Sequence, residues 1–143
     1  LTLVERLHRR LLDVIKDEFE RDGNDEVNSV QALLLFNIGD DVLSAGELRT
    51  RGHYLGSNVS YNLKKLVEAG FIDHKRSSND RRSVRVCLTD KGSEVAKKVE
   101  DLYQRHIQSL EVVGGFSVED LKRMNDGLSK LERFWTDQIR YRL

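Results

Sequence analysis

Residues 80–92 have the sequence DRRSVRVCLTDKG, the strongest local pattern in this 143-residue chain. Within it, apolar side chains at residues 84–88 alternate with Arg and Cys, which predicts a β-strand with one buried face. The preceding FIDHKR sequence at residues 71–76 predicts a partner strand, and the polar cluster at residues 77–80 predicts the turn between them. The segment therefore indicates a β-hairpin with a basic tip, followed by a helix that Thr89 is suited to cap.

Short helices precede this hairpin. Residues 56–69 have apolar side chains at helical spacing, which predicts a helix with one buried face that ends at Gly70. The sequence SAGE at residues 44–47 predicts a capping box that opens another short helix, and an Asn-x-x-Gln spacing at residues 28–31 predicts the cap of an earlier apolar one. Short helices followed by a two-stranded hairpin are the winged helix-turn-helix arrangement. The inward positions of helix 56–69 are Val59, Leu63, Leu66 and Val67.

Longer amphipathic helices flank these elements. Apolar positions recur at helical spacing over residues 4–19, and the sequence GND at residues 23–25 ends that helix. A second long helix follows the hairpin and ends at residues 114–115, and Ser117 starts a third. The apolar side chains at residues 121–138 alternate spacings of three and four, close to a coiled-coil seam. These stripes exceed what a small winged unit can cover, so we expect a second copy of the chain to cover them.

The predicted fold class is mainly α with a small β-hairpin wing: a winged helix-turn-helix whose terminal helices form a dimerisation region. We assign residues 1–27 and 106–143 to dimerisation and residues 28–105 to the winged DNA-binding unit. A hydrophobic fraction of 38% and a charged fraction of 34% suit an elongated oligomer, and the absence of proline favours long helices. Because the first residue is Leu1 rather than Met, we expect the sequence to begin inside a longer chain.

Charge is distributed unevenly along the sequence. The chain has 24 basic and 24 acidic residues, but residues 49–91 contain ten Lys or Arg against four Asp or Glu. The remaining residues are therefore acidic on balance, and one basic block lies between two acidic arms. A basic block on a predicted winged unit is typical of a surface that binds phosphates, although a charged surface can also vary this much without a function.

Four segments form a recognisable set: Glu47-Leu48, GSNVS at residues 56–60, LVEAGFI at residues 66–72, and the hairpin segment 80–92. The last contains Asp-x-Arg, an alternating strand and then Leu-Thr-x-x-Gly. In these segments the chain resembles the MarR family of bacterial transcriptional regulators, and the likeness extends over nearly the whole chain. The sequence from Tyr54 to Leu66 also resembles a smaller group within that family, the LdtR-like regulators of cell-wall transpeptidase genes.

The resemblance implies a triangular homodimer in which terminal helices join two DNA-binding units. Two-fold symmetry would place two recognition helices about one DNA turn apart, on an inverted repeat in double-stranded DNA. The predicted function is a sequence-specific transcriptional regulator, acting as a repressor under the control of a small-molecule effector, for which no motif marks a pocket. The alternative is a winged-helix protein-interaction module without DNA binding. Such a module is expected to lack wing arginines and a polar third helix, and this chain has both.

Helix 56–69 is the candidate for the DNA major groove. At about 100° per residue, its polar side chains lie opposite its apolar ones. Asn can pair with adenine edges, Ser with several bases, and Lys with phosphate or guanine. Tyr61 stands where MarR-family members often have Arg, so a family operator does not carry over to this chain. The candidate DNA-contacting residues are Ser57, Asn58, Tyr61, Lys64 and Lys65, with Ser60 and Asn62 beside them.

The hairpin tip is the second candidate DNA contact. It carries Arg76, Arg81 and Arg82, and arginine at such a tip can enter a narrow minor groove, where the potential is most negative. Either Arg81 or Arg82 could be the one that enters. The family resemblance implies that Asp80 pairs with a nearby arginine and stabilises the wing.

Other residue types indicate no further chemistry. Cys87 cannot form an intrachain disulfide, and we interpret it as a packed or idle thiol, rather than a redox sensor, in a reducing, cytoplasmic setting. No nucleophile motif, phosphate-binding glycine loop or apolar run of roughly 18 residues is present, so we predict no catalysis, no cofactor and no membrane association. No metal site is predicted either, because no ligand spacing links His8, His53, His74 and His106.

Overall fold

The computed structural model describes residues 1–44, 46–48, 56–76 and 84–142. This part of the chain divides into two compact units, Leu1–Leu102 and Tyr103–Leu143. The predicted fold class, mainly α with a small β wing, is confirmed. Residues 46–48 are helical, and the longer elements in chain order are α1 (Thr2–Arg21), α2 (Ser29–Ile38), β1 (Leu43–Ser44), α3 (Gly56–Glu68), β2 (Ile72–Arg76), β3 (Val84–Leu88), α4 (Asp90–Val112) and α5 (Val118–Tyr141).

The core of the first unit is built around α2, which buries five of its ten residues. The predicted cap is confirmed: the Asn28 side chain accepts from the Gln31 backbone N–H at 2.8 Å, and the Gln31 side chain accepts from the Asn28 backbone N–H at 3.1 Å. This capping box satisfies two backbone donors at the start of the helix. The buried residues that α1, α2 and α4 contribute include Ile15, Phe19, Leu34, Leu35, Ile38, Val95, Val99 and Leu102.

The sheet has three antiparallel strands in the order β1-β3-β2. The two strands of the predicted hairpin are confirmed, and they pair from Ile72 opposite Leu88 to Arg76 opposite Val84. The sequence analysis did not predict β1, whose Leu43 pairs with Val86 on the other edge of β3. A strand of two residues is too short to show a period-two pattern, so only its pairing and the burial of Leu43 define it.

The turn after α3 ends that helix as predicted. Gly70 has a φ of +83°, a left-handed conformation in which a side chain would be strained. The Phe71 backbone N–H donates to the Leu66 carbonyl at 2.9 Å, and the Gly70 N–H donates to the Val67 carbonyl at 3.1 Å. These two bonds form a Schellman motif, which satisfies the last carbonyls of the helix.

Residues of the Leu-Thr-x-x-Gly sequence join this turn to α4. The Thr89 hydroxyl donates to the Gly70 carbonyl at 2.6 Å and accepts from the Gly92 backbone N–H at 3.2 Å. A Cβ at Gly92 would overlap the Phe71 carbonyl oxygen, so only glycine allows this close approach. The predicted cap of α4 by Thr89 is thereby confirmed.

The second unit holds the end of α4 and all of α5. The predicted start of α5 is confirmed by a capping box, in which the Ser117 hydroxyl accepts from the Asp120 N–H at 3.1 Å and the Asp120 carboxylate accepts from the Ser117 N–H at 3.0 Å. The bonds from Ser117 hold the pKa of the Asp120 carboxyl below its usual range, with the backbone N–H as the larger cause. No residue of α5 is buried within the part of the chain that the structure describes.

The structure places residues 1–27 in the same compact unit as the winged elements, because Ile15 and Phe19 of α1 belong to its core. The assignment of residues 1–27 and 106–143 to dimerisation stays a prediction. Among the described helices, none is both long and apolar enough to span a bilayer.

Candidate nucleic-acid interface

Helix α3 separates its side chains into an inner and an outer face. Val59, Leu63 and Leu66 are buried, and each retains at most 7% of its exposed area. Their burial anchors the helix to the core, at about 1.5–3 kcal/mol for each large apolar side chain. On the opposite side Tyr61, Lys64 and Lys65 are exposed, as the sequence predicts, and so is Ser60 beside them. The helix therefore has a fixed inner face and a polar outer face that solvent or a ligand can reach.

Tyr61 and Lys65 form a pair on the outer face. Tyr61 is 62% exposed, and the Lys65 ammonium nitrogen lies 5.7 Å from the centroid of its ring. A lysine at this distance from an aromatic face has a weak cation–π attraction, about 0.5–1 kcal/mol at an exposed site. The pair restricts both side chains without neutralising the charge, so the ammonium stays available to a phosphate and the phenol to a base edge.

Asn62 differs in position from the other predicted contacts. Its side chain is half-buried, and its Oδ1 accepts a hydrogen bond of 3.4 Å from Nε2 of Gln31 in α2. Gln31 also completes the capping box of α2, so one amide connects the start of α2 to the middle of α3. The contact shows that Asn62 joins α3 to α2. Its predicted contact with DNA stays a prediction.

Gln31 is a residue of this site that the sequence analysis placed only in a helix cap. Its second contact pairs residues 31 positions apart in the chain, and no local pattern indicates such a contact. The sequence offered one indirect indication of this contact. Asn62 was predicted at the edge of the outer face of α3, and a side chain at that edge can reach a neighbouring helix.

The structure describes the base of the wing, where β2 and β3 pair. Lys75 and Arg85 pair across β2 and β3, and both side chains are exposed. Like charges directly opposite each other destabilise a sheet slightly, and a nearby anion would offset that cost. Arg76 ends β2 opposite Val84. The predicted wing contacts Asp80, Arg81 and Arg82 lie outside the described residues, as do the side chains of Ser57, Asn58 and Arg76.

The described residues contain no group of three or more His, Cys, Asp or Glu side chains that could hold a metal ion. Cys87 is a free, half-exposed thiol on β3 opposite Asp73. Within the described residues, the candidate interface consists of helix α3 and the base of the wing.

Comparison with known proteins places this arrangement in a family. A family model described as a winged helix DNA-binding domain matches residues 27–92, which include α2, α3 and the whole sheet. The chain is 34% identical over 139 residues to the exopolysaccharide II synthesis transcriptional activator ExpG of Rhizobium meliloti (strain 1021). The match covers 97% of this chain and 71% of that protein.

The chain belongs to the MarR family of winged-helix transcriptional regulators. Solved structures of other proteins have the same fold as this chain. Streptococcus pneumoniae FabT in complex with DNA matches with a TM-score of 0.75 and 20% identity, covering 95% of this chain and 94% of FabT. A mutant MarR from E. coli, complexed with operator DNA, matches with a TM-score of 0.72 and 17% identity, covering 91% of each chain. Membership of the LdtR-like group within the MarR family stays a prediction.

Proposed function

We propose that this MarR-family regulator binds an inverted repeat in double-stranded DNA as a homodimer, in the cytoplasm, and controls transcription there. The observation that carries the proposal is the two-faced helix α3. Its inner face is held by Val59, Leu63 and Leu66, and its outer face presents Tyr61 and Lys65. Reading base edges requires polar side chains on a rigid element that fits the major groove, and α3 supplies both.

The dimer part of the proposal is supported by apolar side chains that neither unit buries. Within the part of the chain that the structure describes, helix α5 has no buried residue, yet its apolar residues follow a coiled-coil spacing. At the other end of the chain, Leu3, Val4 and Leu7 of α1 are exposed. An amphipathic helix is stable when its apolar stripe is covered, and a second copy of the chain is the partner we propose. The exposed residues of α5 include Met124, Leu128, Phe134, Trp135 and Ile139.

The wing part of the proposal rests on the sequence pattern and on the base of the hairpin. We propose that Arg76, Arg81 and Arg82 approach the minor groove and that Asp80 holds the wing in shape. The test is a variant in which Arg81 and Arg82 are both changed to Ala. We expect weaker DNA binding with an unchanged dimer, because the proposal assigns these arginines to DNA and assigns the dimer contact to α5 and the start of α1. Unchanged affinity would remove the wing from the proposal.

The proposed direction of regulation is repression. A dimer that occupies an operator near a promoter excludes RNA polymerase from the DNA it covers. ExpG is named as an activator, so the direction needs its own measurement. A reporter gene placed behind an operator selected from random DNA should be expressed less when the protein is produced. Increased expression would reverse this part of the proposal.

Control by a small-molecule effector is the last part of the proposal. Two cavities of about 520 and 490 Å³ lie in the first unit, within the size range of ligand sites. The larger one lies between the connection from α1 to α2 and the start of α4. Its lining includes Asp22, Glu26, Phe71, Lys91 and Lys98. Calorimetric titration with cell metabolites should find a compound that binds and lowers operator affinity, and a screen without such a compound would count against effector control.

The decisive experiment for DNA binding is selection of random duplex DNA on the purified protein. The winning sequence is then titrated by fluorescence anisotropy at several salt concentrations. We expect an inverted repeat, bound at least about 10³-fold more tightly than random DNA, with a steep dependence on salt. A protein that enriches no sequence in the presence or absence of metabolites would support the alternative, a winged-helix module that binds another protein.

A further inference from the structure

Lys91 contacts three residues, in two other parts of the first unit, through one nitrogen atom. Its Nζ lies 2.9 Å from Glu26 Oε2, donates to the Ala69 carbonyl oxygen at 3.2 Å, and lies 4.4 Å from the centroid of the Phe71 ring. Glu26 belongs to the connection between α1 and α2, whereas Ala69 and Phe71 belong to the turn that ends α3. Lys91 itself is in the first turn of α4, so a single side chain joins the connection between α1 and α2, the turn after α3, and α4.

The chemistry of these contacts suits the end of a helix. The last carbonyls of α3 carry partial negative charge, and an ammonium group there both donates a hydrogen bond and offsets the helix dipole. The Phe71 ring, which is buried, offers its face to the same cation. The Lys91 side chain is 47% exposed, so the ion pair with Glu26 alone is weak. What distinguishes Lys91 is that three contacts converge on one atom.

We propose that Lys91 is a positioning residue for DNA recognition, which sets where the end of α3 lies relative to the connection between α1 and α2. The inference rests on the proposed function, because it concerns the helix that faces DNA. The turn from Ala69 to Phe71 is closed by the two Schellman bonds, so displacing it moves the end of α3 with it. Hydrogen bonds to base edges tolerate little displacement, whereas attraction to phosphates depends weakly on position. Loss of Lys91 therefore lowers specific affinity more than nonspecific affinity.

A direct contact between Lys91 and a DNA phosphate is the competing explanation for any effect on binding. Glu26 separates the two explanations. If Lys91 positions α3 through Glu26, then Glu26→Gln weakens operator binding in the same direction as Lys91→Met. If Lys91 contacts a phosphate, then Glu26→Gln strengthens DNA binding, because a carboxylate that repels phosphate and competes for the ammonium has been removed.

Lys98 provides a matched control on the same helix. Its Nζ lies 2.5 Å from Asp22 Oδ2 and 4.3 Å from the centroid of the Phe19 ring. Lys98 therefore has an ion pair and a ring contact, as Lys91 does. Both of its partners belong to the end of α1 or the residue after it, and none belongs to the turn after α3. Lys98, like Lys91, also lines the larger cavity, so the comparison is made without added metabolites. Under those conditions Lys98→Met should change the stability of the unit without changing the placement of α3.

The experiment compares Lys91→Met, Lys91→Arg, Glu26→Gln and Lys98→Met in the full chain. Anisotropy titrations with the selected operator and with random duplex at several salt concentrations give the specificity ratio and the salt slope. Amide hydrogen exchange at residues 63–71 reports on the end of α3 without DNA, and urea unfolding confirms that each variant is folded.

We expect Lys91→Met to bind the operator about tenfold more weakly, the effect of losing one hydrogen bond to a charged group, with affinity for random DNA and the salt slope unchanged. Exchange should increase at residues 69–71, Lys91→Arg should restore most of the operator affinity, and Glu26→Gln should weaken it. Lys98→Met should keep the wild-type specificity ratio.

Two outcomes overturn the inference. One is a parallel loss of affinity for operator and random DNA with a smaller salt slope, together with tighter binding by Glu26→Gln. The other is unchanged amide exchange at residues 69–71 in Lys91→Met, whatever the DNA result. If the wild-type protein selects no operator while amide exchange in Lys91→Met still increases, the proposed function fails. The inference that Lys91 positions the end of α3 is then retained.

Discussion

Gly92 shows how one residue joins the turn after α3 to α4. At this position a Cβ would overlap the backbone oxygen of Phe71 and lie 3.1 Å from its carbonyl carbon. Backbone atoms cannot rotate away as a flexible side chain can, so the turn after α3 would have to move. The glycine of the Leu-Thr-x-x-Gly sequence is therefore needed for close packing, not for an unusual backbone conformation.

The first prediction concerns Gly92→Ala. Because the added methyl group forces the turn and α4 apart, we expect the free energy of unfolding to fall by about 3 kcal/mol, the upper end of overpacking effects. Urea unfolding followed by circular dichroism measures the change. Ser93→Ala is the control, since Ser93 is exposed on the same helical turn and should shift stability by less than about 0.5 kcal/mol. Equal effects in the two variants would contradict this account of Gly92.

The second prediction concerns the hydroxyl of Thr89. Thr89→Val keeps the shape of the side chain but removes both the bond to the Gly70 carbonyl and the acceptor for the Gly92 N–H. We expect a loss of about 1–2 kcal/mol in the free energy of unfolding, as for other lost helix caps. Thr89→Ser retains the hydroxyl and should stay within about 0.5 kcal/mol of wild type. A Thr89→Ser variant as unstable as Thr89→Val would show that packing of the methyl group matters more than the bonds.

At the scale of elements, most boundaries could be predicted because local chemistry sets them. The caps at Asn28 and Ser117 and the stop at Gly70 each depend on residues within a few positions of one another. Contacts between elements could not be predicted in this way. Strand β1 exists because Leu43 pairs with Val86, more than forty residues later, and its two residues show no pattern of their own.

The candidate interface shows the same division. Helical periodicity correctly placed Tyr61, Lys64 and Lys65 on the exposed face of α3, because the buried face fixes the other side of a helix. It could not show that the side chain of Asn62 reaches Gln31, since that depends on where α2 lies. The contacts of Lys91 were missed for the same reason, although Lys91 lies within the segment that carries the family resemblance.

The third prediction concerns the charge on the outer face of α3. In a variant with Lys64→Ala and Lys65→Ala, two cations that face outward are lost. If each neutralises one phosphate, the slope of log affinity against log salt should become less steep by about 1.8. Anisotropy titrations from low to high salt measure the slope. Lys97→Ala, which removes an exposed lysine from α4, is the control and should leave the slope unchanged. An unchanged slope in the double variant would place DNA elsewhere.

At the scale of the whole molecule, burial is distributed unevenly between the two units. Every residue in the buried apolar core lies in Leu1–Leu102, whereas Tyr103–Leu143 contributes none among the described residues. A helix of 24 residues such as α5 gains little stability from backbone hydrogen bonds alone and depends on packing of its apolar face. The proposed dimer supplies that packing, and it would also place two copies of α3 on one inverted repeat.

The last prediction tests this dimer through Leu128, which is 45% exposed on the apolar face of α5. Leu128→Asp places a charge in the proposed contact, so we expect a monomer in size-exclusion chromatography with light scattering. Ser129→Asp adds the same charge about 100° around the helix and should leave the dimer intact. With the second half-site no longer tethered, operator affinity of Leu128→Asp should fall by about 10²-fold or more, toward that for a single half-site. If instead Leu128→Asp stays dimeric and binds the operator normally, α5 is not the dimer contact. The exposed residues at the start of α1 would then be the next surface to change.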